Sequence, residues 1–377
     1  MKLPFRFSPG IFLLLAIIYN CSGGSVRFGS IPENPLSWNE FAGFLSGNSE
    51  NRENPFAASV GFQSHDSHRT YMNQAWRQLE QNTLHKMGIW EKEHIPRNRS
   101  RNTVFYPLSG ADLINVYSLF PRSRRYILAG LEKTGDPSVI HEAMNRSSLQ
   151  GSLAEIRSLM GFYTRYSYFT SKGMSEHMQG HKVHGVLPIF LIALSRLGME
   201  IKTVSGATLT HDGQLEVDNS PNPPVLYIRF YSPREKQMKE LIYLNFFLSN
   251  ESLSSNQPHG KLVLAEKNLN LMLKSAVYLF HNPKYSVARD FLLQKADFIL
   301  QDDSGIPWRN LDRSKWQANI YGIFTTPVLL SGIVPANPVQ PDLAQVYKTE
   351  AQPLPFEYGY GNLRGRGKSN LLTADRK

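Results

Sequence analysis

Cysteine is nearly missing from this chain: Cys21 is the only one in 377 residues. A disulfide framework is therefore excluded, and the fold must be held by its own core. Long apolar runs are missing too. The greasiest stretch, Ile11 to Tyr19, is nine residues long, whereas a membrane-spanning helix needs about 20. No zinc-finger spacing and no aromatic-basic RNA motif occurs, which argues against nucleic acid as a partner. No internal repeat is found. Acidic residues are under-represented, 31 against 41 lysines and arginines, for a formal charge of +10. That excess favours anionic surfaces, such as lipid headgroups or other anionic envelope components.

What is present begins with an export pattern. Lys2 and Arg6 precede the short apolar run, and Cys21 follows it directly, trailed by Ser22, Gly23, Gly24 and Ser25. This layout predicts a secretory signal over residues 1–20 and lipidation at Cys21, with a membrane partner through the lipid anchor. Tyr19 and Asn20 depart from the small residues usual before an acylated cysteine, so a secretory peptide cut elsewhere is the competing reading. Either way the expected location is the bacterial cell envelope, periplasm or surface.

Residues 21–102 read as a tether and a helical lead. Ser37-Trp38-Asn39-Glu40 forms a capping box for a short helix through Phe44, and residues 46–66 read as loop. From Ser67 to Trp90, Met72, Trp76, Leu79, Thr83, Met87 and Trp90 recur at steps of three and four and share one helical face, a packing stripe.

An α/β domain is expected over 103–330. Thr103 to Tyr106 is a β-prone run, Ser109-Gly110-Ala111-Asp112 a turn, Leu113 to Phe120 a helix stopped by Pro121, and Arg125 to Leu131 a second β-prone run closing on Glu132. That is a βαβ unit, which implies parallel sheet. Helices follow at about 137–145, 151–168 and 185–198. Strands follow at 199–208, 225–231, 241–248, 298–301 and 316–324, with a helix at 285–295. The predicted fold is a Rossmann-like mixed, largely parallel α/β sheet with flanking helices and a helical N-terminal extension. Residues 331–377 read as an extended segment ending in a disordered basic tail.

Candidate sites sit at predicted turns. Asp302 and Asp303 are adjacent carboxylates on a loop, able to hold a hard cation, to act as acid and base, or merely to cap backbone amides. Lys274, Tyr278 and His281, at steps of four and three, share a face if their segment is helical, and all three carry protons. His177, His181 and His184 could bind a transition metal on one helical turn, although Gly173, Gly180 and Gly185 weaken that helix. His65-Asp66-Ser67-His68 is a sparser cluster of the same kind.

The βαβ unit resembles the opening of a Rossmann-like domain of the class I methyltransferase type. That resemblance implies a ligand at Ser109, Gly110 and Asp112, with Glu132 holding ribose hydroxyls. The turn has one glycine where such domains have several, and an exported protein does not meet cytoplasmic cofactors, so no cofactor is assigned. A second resemblance covers about residues 103–361. It is carried by Phe105-Tyr106-Pro107-Leu108-Ser109-Gly110-Ala111-Asp112, Gly130-Leu131-Glu132, Lys274 to His281, Gln301 to Pro307, Tyr321-Gly322 and Pro355 to Tyr360. These stretches resemble an uncharacterised family of bacterial exported, lipoprotein-like proteins, which implies one continuous domain and no particular catalytic residue. Two functions follow as expectations. One is a lipid-anchored envelope protein that binds a ligand or partner. The other is an envelope enzyme, hydrolytic or metal-assisted, using Ser109, Asp112, Glu132, Asp302 and Asp303 at the strand ends, with methyltransferase-like activity a more distant variant.

Overall fold

The computed structural model describes residues 35–48, 54–137, 146–166, 185–324, 327, 339–361 and 367–377. The proposed signal segment, Cys21 and the His177, His181, His184 cluster lie outside the described residues, as does nearly all of the helix expected at 137–145. Among the described residues no helix is long and apolar enough to cross a membrane.

The helices are α1 (Pro35–Ser46), α2 (Pro55–Val60), α3 (Phe62–Leu79), α4 (His85–His94), α5 (Leu113–Leu119), α6 (Arg146–Tyr166), α7 (Leu187–Arg196), α8 (Pro258–Ala265), α9 (Ser286–Lys295) and α10 (Pro341–Glu350). The strands are β1 (Thr103–Tyr106), β2 (Arg125–Gly130), β3 (Glu200–Leu209), β4 (Leu215–Val217), β5 (Val225–Ser232), β6 (Gln237–Asn245), β7 (Leu269–Leu273), β8 (Phe298–Gln301), β9 (Trp316–Gly322) and β10 (Asn370–Arg376). They form one 10-stranded sheet in the order β4-β3-β5-β6-β2-β1-β7-β8-β10-β9.

The centre, β6-β2-β1-β7-β8, is parallel throughout. The wings are antiparallel: β4, β3 and β5 on one side, β10 and β9 on the other. The sheet is therefore mixed, with its parallel part confined to the five central strands. The βαβ reading holds for the first unit; β7-α9-β8 is a second such unit, whereas β5–β6 is a hairpin that needs no crossover.

Alternation along each central strand sends side chains to opposite faces. Val104 and Tyr106 join one apolar cluster with α1 to α7, and Phe105 joins the other with α8 to α10. Helix α5, which links β1 to β2, lies on the first face, and α9, which links β7 to β8, lies on the second. Right-handed crossovers demand this when the chain leaves β1 and β7 in opposite directions along the sheet. The boundary between β1 and β7 is thus the point where the strand order reverses.

Two readings of the lead and tail change. Residues 46–66, read as loop, contain α2 and the start of α3, because buried Phe56, Ala57 and Val60 anchor α2 on α1 and α3. A π-helical turn, Glu80–Leu84, joins α3 to α4 and keeps Thr83, Met87 and Trp90 on the buried face. The basic tail is not disordered where it is described. Leu371, Leu372 and Ala374 are buried in β10, a strand inserted between β8 and β9.

Candidate functional site

The C-terminal ends of the parallel strands gather most of the residues chosen from sequence. Asp112 caps α5 just past β1, and Lys274 follows the last residue of β7. Lys274 Nζ donates to Asp112 Oδ2 at 2.6 Å, and both side chains are buried. Three neutral groups complete the carboxylate. Tyr106 OH donates to Oδ2 at 3.2 Å, Tyr163 OH to Oδ1 at 2.9 Å, and Asn115 Nδ2 reaches both oxygens at 2.9 and 3.1 Å. A buried ion pair is tolerable only when its remaining lone pairs are filled this way. Burial first, then the neighbouring carboxylate, raises both phenols well above the usual tyrosine range, so they act as donors at any physiological pH.

The adjacent carboxylates Asp302 and Asp303 follow β8 and turn apart. Asp302 Oδ2 accepts from the Ser275 amide at 3.0 Å, and Oδ1 accepts from the Ser304 amide and hydroxyl. Asp303 Oδ2 accepts from Tyr278 OH at 2.9 Å, and Oδ1 from Asn370 Nδ2 at 3.0 Å, while Asn370 Oδ1 accepts from the Asp303 amide. They cap two different loops and do not work as a pair. Gln301 closes their loop by bonding both ways to Ile306, through Nε2 and Oε1.

The proposed helical face of Lys274, Tyr278 and His281 does not exist. Ser275, Val277 and Tyr278 have φ of 52°, 47° and 54°, a left-handed backbone that breaks any helix. Lys274 instead ends a strand, and His281 lies in a 3-10 turn. Its ring is pushed down to about 4 by burial, then by Arg309, and is neutral at pH 7. Leu108, after β1, is also left-handed at φ 64°. Strained residues thus crowd the loops after β1 and β7, where such strain is most often kept for function.

Ser109 ties the first turn to β2. Its hydroxyl accepts from the Ala129 amide at 3.1 Å, and its own amide donates to the Ala129 carbonyl at 2.8 Å. Glu132, past the end of β2, lies over Gly110: a Cβ built on Gly110 would sit 3.4 Å from Glu132 Oε1. Tyr243 OH donates to the Glu132 carbonyl at 2.9 Å and to Oε2 at 3.2 Å, and Asn245 Nδ2 to the same carbonyl at 2.8 Å. Unlike the aspartates, Glu132 is only half-buried.

Sequence reading missed Tyr163, Asn115, Tyr358 and Asn370. Tyr358 is fully buried beneath Asp302 and Asp112, which together with burial raise its phenol well above the usual range, and its hydroxyl has no partner among the described residues. Its neighbour Gly359, at φ 57°, lets the backbone lie against the Asp302 carboxylate, which any Cβ there would overlap. The Glu357-Tyr358-Gly359-Tyr360 stretch carried that signal. Among the described residues no group of three or more histidines, cysteines or acids could hold a metal ion. A cleft of about 820 Å³ opens elsewhere, between Asn82 and Thr83 of the π turn, Lys86 of α4, Thr164 and the 352–357 segment, and none of the candidate catalytic or ligand-binding residues lines it. His65 and His68 are buried in the helical lead, with His68 Nε2 at 2.8 Å from the Leu45 carbonyl.

Comparison with family models, with curated proteins and with solved structures returned no match for this chain.

Proposed function

We propose that this is an exported, lipid-anchored binding protein whose ligand contacts the C-terminal edge of a Rossmann-like sheet, at the turn after β1 and the end of β2. One observation carries the reading: of Asp112, Glu132, Asp302 and Asp303, the acids that the sequence singled out on that edge, Glu132 alone is half-buried and not buried, with its carboxylate against the Gly110 turn. Open α/β sheets take ligands outside the carboxyl ends of their strands, next to the point where strand order reverses. The reversal between β1 and β7, with helices on both faces, supports calling the central block Rossmann-like. A half-buried carboxylate fits a hydroxyl-bearing ligand such as a nucleoside or sugar, because charged acceptors make the stronger hydrogen bonds.

Asp112, Lys274, Asp302 and Asp303 serve as the scaffold. Each is buried and engaged by named neighbours, so none offers a reacting atom to a substrate. This weighs binding above hydrolysis. The export pattern at residues 1–20, Cys21 and the resemblance to exported lipoprotein-like proteins support the location.

Calorimetric titration of the full chain with adenosine and, separately, glucose tests the proposal. Binding of either, weakened by roughly tenfold or more in Glu132→Gln, is the expected result. No heat from either probe, or equal affinity in the variant, overturns the assignment of this edge.

A further inference from the structure

The opposite edge of the sheet carries a row of cations. Register places the starts of β1, β2, β6, β7, β8 and β9 and the end of β10 together on it: Arg125 pairs with Glu240, Thr103 with Leu269, Asn270 and Asp375 with Phe298, and Arg376 with Trp316. Exposed cations stand in the turns there. Arg101 precedes β1, Arg124 precedes β2, Lys236 precedes β6, Lys267 precedes β7, Lys315 precedes β9 and Lys377 follows β10. Of the acids in those turns only Asp312 is exposed, among the described residues. The others are half-buried or buried and engaged: Glu240 and Glu266 hold buried Arg125, Asp375 holds Arg99, Asp297 accepts from the Leu269 amide, and Glu235 faces Arg234 at 3.9 Å. Interstrand spacing makes the row about 30 Å long from β6 to β9.

We infer that this N-terminal edge is a docking surface for an anionic lipid bilayer. The inference is independent of the ligand reading. Its cations come from separate turns spread along the edge, so they address many headgroups and not a single anion. Exposed Met238, at the start of β6, and Leu264, near the end of α8, stand among them. Short apolar side chains beside cations suit the headgroup boundary. Stacking platforms for a single-stranded polynucleotide are lacking: the large exposed aromatics among the described residues, Phe62, Tyr71 and Phe247, belong to other parts of the fold. Seated this way, the molecule would hold Glu132 and the β1 turn on the side facing away from the bilayer.

Co-sedimentation of the full chain with phosphatidylcholine vesicles, with and without phosphatidylglycerol, tests this. The N-terminal apolar segment contributes equally to wild type and variants, so the readout is the excess binding to the anionic vesicles. The expected result is an excess that vanishes at high salt and falls on the order of a hundredfold in Arg101→Gln/Lys267→Gln/Arg124→Gln. An unchanged melting curve for that variant shows that the fold is intact. No excess for anionic vesicles, or an excess that the triple variant retains, overturns the surface. Binding of the wild type to soluble dextran sulfate but not to the vesicles overturns the bilayer in favour of an anionic polymer.

Discussion

Lys274 donates to Asp112 across the boundary at which the sheet reverses its strand order, so one buried ion pair joins the loop after β7 to the helix cap after β1. Tyr106, Tyr163 and Asn115 fill the rest of the carboxylate. Removing the lysine leaves a buried anion without its counter-charge. Lys274→Met should cost about 3–5 kcal/mol, read as a lowered midpoint in urea unfolding. Lys274→Met combined with Asp112→Leu should cost clearly less than the two single changes summed, because neither charge is then stranded. Additive losses would show that the pair does not interact in solution.

His68 and His281 give the fold a defined acid sensitivity. Burial lowers both rings from 6.5 to about 4. Between those values the unfolded chain binds a proton at each ring and the folded chain does not, so stability falls as pH drops from 6.5 toward 4 and no further below it. For His68, fully buried, the loss by pH 4.5 is roughly 2–3 kcal/mol. In His68→Phe the stability difference between pH 7 and pH 4.5 should shrink by about that amount, although the variant is weaker at both through the lost bond to Leu45. An identical pH difference in urea unfolding would refute a neutral, buried His68.

Gly359 has two reasons to be glycine: a φ of 57° and the Asp302 carboxylate against it. Gly359→Ala should destabilise by about 2 kcal/mol or more. The loss should be accompanied by faster hydrogen exchange of the Ser275 and Ser304 amides, which donate to Asp302. Slow exchange at both amides in a destabilised variant would place the damage elsewhere.

Removal of residues 370–377 should abolish cooperative unfolding. The truncated chain would lose Leu371, Leu372 and Ala374 from the core, and β9 would lose its one neighbouring strand among the described residues. A truncated chain with native circular dichroism and an unchanged melting temperature would show β10 to be dispensable.

The parts legible in the sequence were those with local punctuation. β1, α5 and β2 could be bounded closely because Pro107 and Pro121 bracket the helix, and Asp112 caps it. The steps of four and three between Lys274, Tyr278 and His281 would suit a helix, whereas the left-handed backbone at Ser275, Val277 and Tyr278 is held by distant partners: Asp302, Asp303 and Tyr360. β10 was hidden by its neighbours, since glycine, lysine and arginine up to Lys368 set the apparent character of a segment whose next residues are buried. Tyr163 and Asn370 lie 51 and 67 residues from the aspartates they serve, a separation that no local pattern reports.

The position of β10 also fixes an order of assembly. Among the described residues β9 has no strand neighbour but β10, apart from the single bridge between Tyr321 and Gln352, and β8 pairs on that side only with β10. Until the chain as far as Arg376 is available, β8 keeps an open edge and β9 stays outside the sheet. One flank of the molecule therefore closes last, by a strand threading into a gap. Over that interval the open edge of β8 is where a chaperone, or a second unfinished copy, would find a strand to pair with.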